Sequence, residues 1–282
     1  MNKHPASRLF FIVHVSTRVC RQLSGAAMPP HRDGSPAGRG IPLWPWLAGL
    51  ALASAAQATP VLPPLTLDSG ALNPAWRVVG FPKQHADIPL TRFEAATVDG
   101  ERAVQVLTAS SYGTLVHDTP NRSPGRLQWR WRLDQPLSGG QAAPDLTTQA
   151  GDDAALKVCA LFDHPLERVP FVERTVLRIA RSVSGEALPA ATVCYVWDSA
   201  HAAGRQGANP YTRRVRYISL RGSETPARQW AAEARDLAQD FSTLFADELP
   251  AGAAVPRLRS VLIGADSDNT ASRSTGWVTD LR

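Results

Sequence analysis

The residues of this chain best suited to chemistry are acidic and clustered. Asp266, Asp268 and Asn269 form a D-x-D-N run, and Asp152 and Asp153 are adjacent. Oxygen-bearing side chains alternating on a turn can gather around Ca²⁺, which takes six to eight oxygen ligands. The same residues also make Asx turns by bonding their own backbone, with no ion involved. Twelve-residue EF-hand spacing is absent, so a Ca²⁺ site built on Asp266, Asp268 and Asn269 would be of the sandwich-loop kind. Carboxylates this close repel unless a cation, an arginine or backbone N–H groups offset them. Arg235 and Arg273 are the candidate arginines, and Asp152 and Asp153 the acids this loop would meet if the two converge.

Trp197, with Asp198 next to it and His201 close behind, is the candidate for stacking on a sugar ring, so Trp197, Asp198, Asp152 and Asp153 form the expected ligand-binding set. Trp129 and Trp131 share a face with Leu127 and Leu133, which assigns them to the core. Hydrolysis of a glycan needs two carboxylates at a defined separation, and the E-x-D-x-x-E strand pattern of sandwich-fold glucanases is missing. The G-x-S-x-G elbow, the H-E-x-x-H helix and the P-loop are missing too. His85, His117, His164 and His201 are scattered without metal-ligand spacing. Asp236 and Asp240, one turn apart beside Arg235, read as a salt-bridged, solvated helix face.

The elements that must position these residues are mostly strands. In Arg126 to Leu133 apolar and polar residues alternate strictly, giving an aromatic core face and a wet basic face. Further strands are expected at 76–81, 90–97, 103–108, 113–117, 155–162, 193–197, 215–220, 259–265 and 277–281, punctuated by Gly, Pro, Asp and Asn. Many short strands with such punctuation predict an antiparallel β-sandwich. One segment departs from period two. Trp230, Ala234, Leu237, Phe241, Leu244 and Phe245 recur at helical spacing, behind Thr225 as N-cap and Pro226 at the first helical position. This predicts one packed amphipathic helix over about 226–246.

The chain carries 30 basic and 25 acidic residues. The whole excess lies in the first 58 residues, where Lys3, Arg8, Arg18, Arg21, Arg32 and Arg39 stand against Asp33. The remainder has no net formal charge, which removes the basic-patch argument for nucleic acid or an anionic membrane, so no nucleic-acid partner is expected. Residues 1–58 read as a secretory leader: a basic n-region, the apolar run Ile41 to Ala53, and the Ala56-Gln57-Ala58 cleavage pattern. Met28 would make a conventional start. Residues 59–74 are Pro-rich and expected as an extended linker, and 75–282 as a single domain. No later run approaches the 18 apolar residues of a membrane span. Periplasmic or secreted placement follows, a compartment that permits disulfides. Past the leader, Cys159 and Cys194 remain in apolar runs, either as two buried thiols or as a bonded pair.

Several segments in order resemble domain-of-unknown-function family 3047, a family of exported bacterial proteins. They are LQWRWRL, Gly151-Asp152-Asp153-Ala154, a strand closing on Phe162-Asp163, LPAATVCYVWD, the Asn209-Pro210-x-Thr212 turn, Arg235, Asp236 and Asp240 in WAAEARDLAQDF, and Asp266-Ser267-Asp268-Asn269-Thr270. The resemblance runs from about Trp76 to Arg282. Asp198-Ser199-Ala200-His201 departs from the family's Asn- and Pro-containing turn. The resemblance implies a jelly-roll sandwich similar to carbohydrate-binding modules, and no known activity. The expected function is non-catalytic binding of a cell-envelope or extracellular glycan. The alternatives are a glycan hydrolase with a carboxylate pair drawn from Asp152, Asp153, Asp266 and Asp268, and a structural or partner-binding envelope protein. Oligomeric state is left open.

Overall fold

The computed structural model describes residues 62–81, 87–138, 144–184 and 187–282. The expected leader, its expected start at Met28 and the first residues of the expected linker lie outside them. The strands are β1 (Arg77–Val79), β2 (Arg92–Val98), β3 (Glu101–Ala109), β4 (Tyr112–Arg122), β5 (Arg126–Ser138), β6 (Leu156–Phe162), β7 (Ala191–Trp197), β8 (Gln206–Asn209), β9 (Thr212–Arg221), β10 (Ala231–Asp236), β11 (Leu258–Asp266) and β12 (Arg273–Thr279). The helices are α1 (Phe171–Ser184) and α2 (Leu237–Leu244). One sheet runs β1-β4-β11-β6-β7-β9-β8 and the other β10-β5-β12-β3-β2. Pairing is antiparallel except between β7 and β9, which are parallel. Among the described residues no helix is long and apolar enough to cross a membrane.

The core lies between the sheets. Leu127, Trp129, Trp131 and Leu133 of β5 are all buried there, as their alternation requires. Trp131 meets Trp129 and Trp197 with ring centres 5.6 and 5.4 Å apart, and Trp129 meets Tyr195 at 5.2 Å. Trp131 donates its indole N–H to Glu233 of β10 at 2.9 Å. The opposite face is less wet than expected: Arg132 is buried and paired with Asp99 and Asp134. Asp99 and Gly100 make the two-residue turn between β2 and β3, both at positive φ (51° and 80°), the geometry that suits the twist of a tight hairpin and favours Asp-Gly.

Every strand read from the alternation is present, while the helical expectation needs correction. Residues 231–236 form β10, paired with β5 in the register Ala231↔Trp131 to Asp236↔Arg126. Asp236 then caps α2 by accepting from the Ala238 and Gln239 N–H groups, so the helix over 226–246 shrinks to 237–244. Ala-Ala-Glu-Ala satisfies either period, and the free edge of β5 decides it as a strand. Arg235 and Asp240 are ion-paired at 2.5 Å, but Asp240 is buried and accepts from the Tyr195 hydroxyl at 2.6 Å, so this is no solvated face. The segment expected as a linker buries Leu62 and Leu65 in the core.

A second apolar cluster covers the outer face of the seven-stranded sheet, where Leu146 and Ala154 pack on Val116, Leu161, Val196, Tyr217 and Leu262. Cys159 and Cys194 belong to it. They face each other across β6 and β7 and are bonded, with Cα atoms 4.1 Å apart. A Cys20→Ser chain is therefore expected to take up no thiol reagent, native or urea-unfolded, until a reductant is added. Labelling on unfolding alone would mean that the pair is free.

Candidate functional site

Topology explains why the two acidic segments meet. β6 and β11 are antiparallel neighbours, with Lys157 opposite Gly264. The segment that enters β6 (144–155) and the one that leaves β11 (267–272) are therefore side by side. Asp153 accepts from the Asn269 N–H at 3.2 Å and from the Thr270 N–H at 2.8 Å. Asn269 donates its side-chain amide to the Asp152 carbonyl at 2.8 Å. Asp266 accepts from the Ala154 N–H and from Lys157 Nζ, each at 2.9 Å. Both Asp152 oxygens accept from Asn209 Nδ2, at 2.8 and 2.7 Å. Behind Asp152, a 3-10 turn at Gln149–Gly151 passes so close to Asp145 that a Cβ on Gly151 would lie 2.5 Å from its backbone nitrogen.

These carboxylates face inward on the protein's own donors rather than on a common point. Among the described residues no group of three or more His, Cys, Asp or Glu side chains could hold a metal ion, and the Asn269 side-chain amide is spent on the Asp152 carbonyl. The Ca²⁺ expectation for Asp266, Asp268 and Asn269 gains nothing from this geometry. The charge partner is Lys157, not Arg235 or Arg273. Burial would lower the Lys157 pKa, but Asp266 beside it holds it above its ordinary value. The surplus negative charge remains. Burial first, then the Asp266 carboxylate, push Asp152 up to about 8, Asp268 up to about 7 and Asp153 up to about 6. Asp268 Oδ1 is buried without a partner among the described residues.

Trp197 and Asp198 also serve the fold. Trp197 is buried between the sheets, out of reach of a sugar ring. Asp198 is buried and accepts from the Ala200 and His201 N–H groups at 2.8 and 3.0 Å, closing the turn after β7.

Two concavities among the described residues are bordered by Asn209, which bonds Asp152 of the acidic cluster. A cavity of about 50 Å³ on the outer sheet face is lined by Tyr112, Asp152, Lys157, Asn209, Tyr217 and the disulfide. It has room for a few water molecules. A groove of about 270 Å³ runs between α1 and the β8–β9 hairpin, lined by Glu173, Val176 and Leu177 on one side and by residues 209–214 on the other. Its walls are fixed. Asn209 Oδ1 accepts from the Tyr211 and Thr212 N–H groups, shaping the Asn-Pro-Tyr-Thr turn. The Tyr211 hydroxyl donates to the Gln149 carbonyl at 2.7 Å.

A buried ion network holds the opposite wall. Arg214 donates to Glu248 at 2.7 and 2.5 Å and to Glu173 of α1 at 2.6 Å. Arg216 reaches the same Glu248 at 2.7 Å. Arg213, more than half exposed, lies 3.4 Å from Glu173 and 2.9 Å from Asp247. The sequence alone assigns the 209–212 turn no role, and no helix is expected from it at 171–184. Pro170 ahead of Phe171, Val172, Thr175, Val176 and Ile179 at helical spacing was the available signal.

The family model for a protein of unknown function, DUF3047, matches residues 74–282. The chain belongs to the DUF3047 family. This DUF3047 protein has no match among curated proteins. Among solved structures it is similar to a carbohydrate-binding module (CBM28) specific for non-crystalline cellulose, at 10% identity and a TM-score of 0.36, covering 79% of this chain and 93% of that one. It is also similar to the K2 cleaved adhesin domain of Lys-gingipain, at 8% identity and 0.30, covering 76% and 89%. The corresponding K3 domain from Porphyromonas gingivalis w83 follows at 8% and 0.31, covering 78% and 99%.

Proposed function

We propose that this DUF3047 chain is an exported, non-catalytic binding module that holds a short stretch of a cell-envelope or extracellular glycan in the groove between α1 and the β8–β9 hairpin. The groove itself carries the reading. At about 270 Å³ it is near the lower end of the range for small-molecule sites, roughly 300–1,000 Å³, and suits one or two sugar rings. A carboxylate (Glu173), a guanidinium (Arg213) and a hydroxyl (Thr212) stand around the Tyr211 ring and Pro210. Sugar hydroxyls both donate and accept, so a pocket offering fixed partners of both kinds beside an apolar surface recognises them. Hydrolysis is the weaker reading, because Asp152, Asp153 and Asp266 are engaged by Asn209, Asn269, Thr270, Ala154 and Lys157.

Calorimetric titration against cello-, xylo-, chito- and peptidoglycan-derived oligosaccharides tests this. Saturable binding to at least one is expected, weakened about tenfold or more by Tyr211→Ala or Arg213→Ala and unchanged by Thr243→Ala on α2. Binding that is indifferent to both groove variants would contradict the placement. Release of new reducing ends would replace the module with a hydrolase.

A further inference from the structure

α1 turns only part of its circumference to the domain. Leu177 and Ala180 are buried against Val169, Leu188 and Ala190, and Glu173, the helix's sole acid, points to Arg214 and Arg213. At 3.6 residues per turn, Phe171, Val172, Thr175, Val176 and Ile179 fall within one arc of about 140°. Phe171 is 72% exposed, Val172 71%, Ile179 58% and Val176 37%. Four of the seven exposed large hydrophobics among the described residues are therefore on this one stripe. Thr175 within it donates its hydroxyl back to the Phe171 carbonyl, so the stripe asks for no directional partner.

Arginines line one edge of the arc. The Arg174 guanidinium is 5.8 Å from the Phe171 ring centre, and Arg178 is exposed. Neither has a carboxylate partner among the described residues. An apolar stripe edged by uncompensated arginines is the pattern of a helix lying in a lipid interface. The chain beyond residue 58 has no net charge, so the attraction is local to this helix. We propose that α1 docks flat on an anionic lipid surface, with Phe171, Val172 and Ile179 entering the headgroup–acyl boundary and Arg174 and Arg178 pairing with lipid phosphates. An acidic protein would satisfy the arginines, but it would have to match four apolar side chains as well, whereas a bilayer supplies both phases at once. Groove chemistry plays no part in this inference.

The test uses the full chain as Cys20→Ser, Thr175→Cys, with an environment-sensitive fluorophore on the introduced thiol; Cys159 and Cys194 are consumed by their disulfide. With vesicles of equimolar phosphatidylglycerol and phosphatidylcholine the emission is expected to shift to the blue, and with pure phosphatidylcholine to stay in place. Arg174→Ala and Arg178→Ala should each weaken apparent partitioning about fivefold, and the pair Phe171→Ser, Ile179→Ser should abolish the shift. Phe171, Arg178 and Ile179 are exposed and Arg174 is half-buried, so an unchanged thermal midpoint shows that the variants fold. The same label at Thr243→Cys on α2 reports any insertion through another part of the chain and should stay unshifted. No shift at position 175, an equal shift on phosphatidylcholine, or a shift without lipid that grows with protein concentration would each overturn the proposal, the last by making a second copy the occupant.

Discussion

Replacing Trp131 with alanine is expected to lower the unfolding free energy by about 3–5 kcal/mol, the usual cost of truncating a core aromatic. Trp131 is buried between Trp129 and Trp197, so alanine would leave a void bounded by two indoles. It would also leave Glu233 without its indole donor. Arg130, the next residue, points the other way. It makes a two-pronged pair with Glu101 at 2.7 and 2.9 Å and lies 5.2 Å from the Trp230 ring centre. Its side chain is a third exposed, so Arg130→Ala should cost less than about 1 kcal/mol. Urea unfolding of both variants checks the contrast. Equal losses would mean that β5 presents its faces otherwise.

The second large effect is a fall in stability as pH rises. Burial and the Asp266 carboxylate hold Asp152 at about 8 in the folded state, against roughly 3.9 unfolded. A carboxyl raised on folding contributes stability that is complete below its unfolded value and lost as pH climbs through its folded one. Asp268 and Asp153, pushed up to about 7 and about 6, titrate in the same window and in the same sense. Glu248 acts oppositely. Burial would raise it, but the Arg214 hydrogen bonds, with the Arg216 guanidinium beside them, outweigh burial and hold it down at about 2, so its contribution is present above roughly 4.5 and lost as pH falls toward 2. Stability should therefore peak near pH 4–5 and decline by roughly 2–4 kcal/mol toward pH 8. Asp152→Asn keeps an acceptor for Asn209 and removes the charge, so it should flatten the alkaline limb and stabilise the domain at pH 8. A wild-type midpoint that rises from pH 5 to 8 would contradict this electrostatic reading.

The strand pattern was legible because burial on one face writes period two directly into β5, β6, β7 and β11. The helices were less so. Residues 231–236 carry three alanines that fit either period, and a long-range fact, the unpaired edge of β5, selects strand. α1 exposes its most apolar arc, so its composition does not announce which side packs. The convergence of Asp152 and Asp153 with residues 266–270 depends on β6 and β11 being neighbours, which no local spacing encodes. Trp197 illustrates the opposite failure. Its place beside Asp198 and His201 suggested an exposed strand end, yet the parallel β7–β9 pair and the Trp131 ring cover it. The groove residues gave almost no signal, because Glu173 and Arg213 acquire meaning only when α1 folds back over the β8–β9 hairpin.

The most direct test of the binding reading is where a bound oligosaccharide perturbs the protein. Amide shifts of the isotope-labelled chain should be followed as the tightest-binding member of the calorimetric panel is added. The account predicts saturable shifts concentrated at residues 209–214 and at Glu173 and Leu177, with the five-stranded sheet silent. Shifts confined to the acidic loops at 266–270, to the five-stranded sheet or to the outer arc of α1, or no shifts at millimolar sugar, would contradict it.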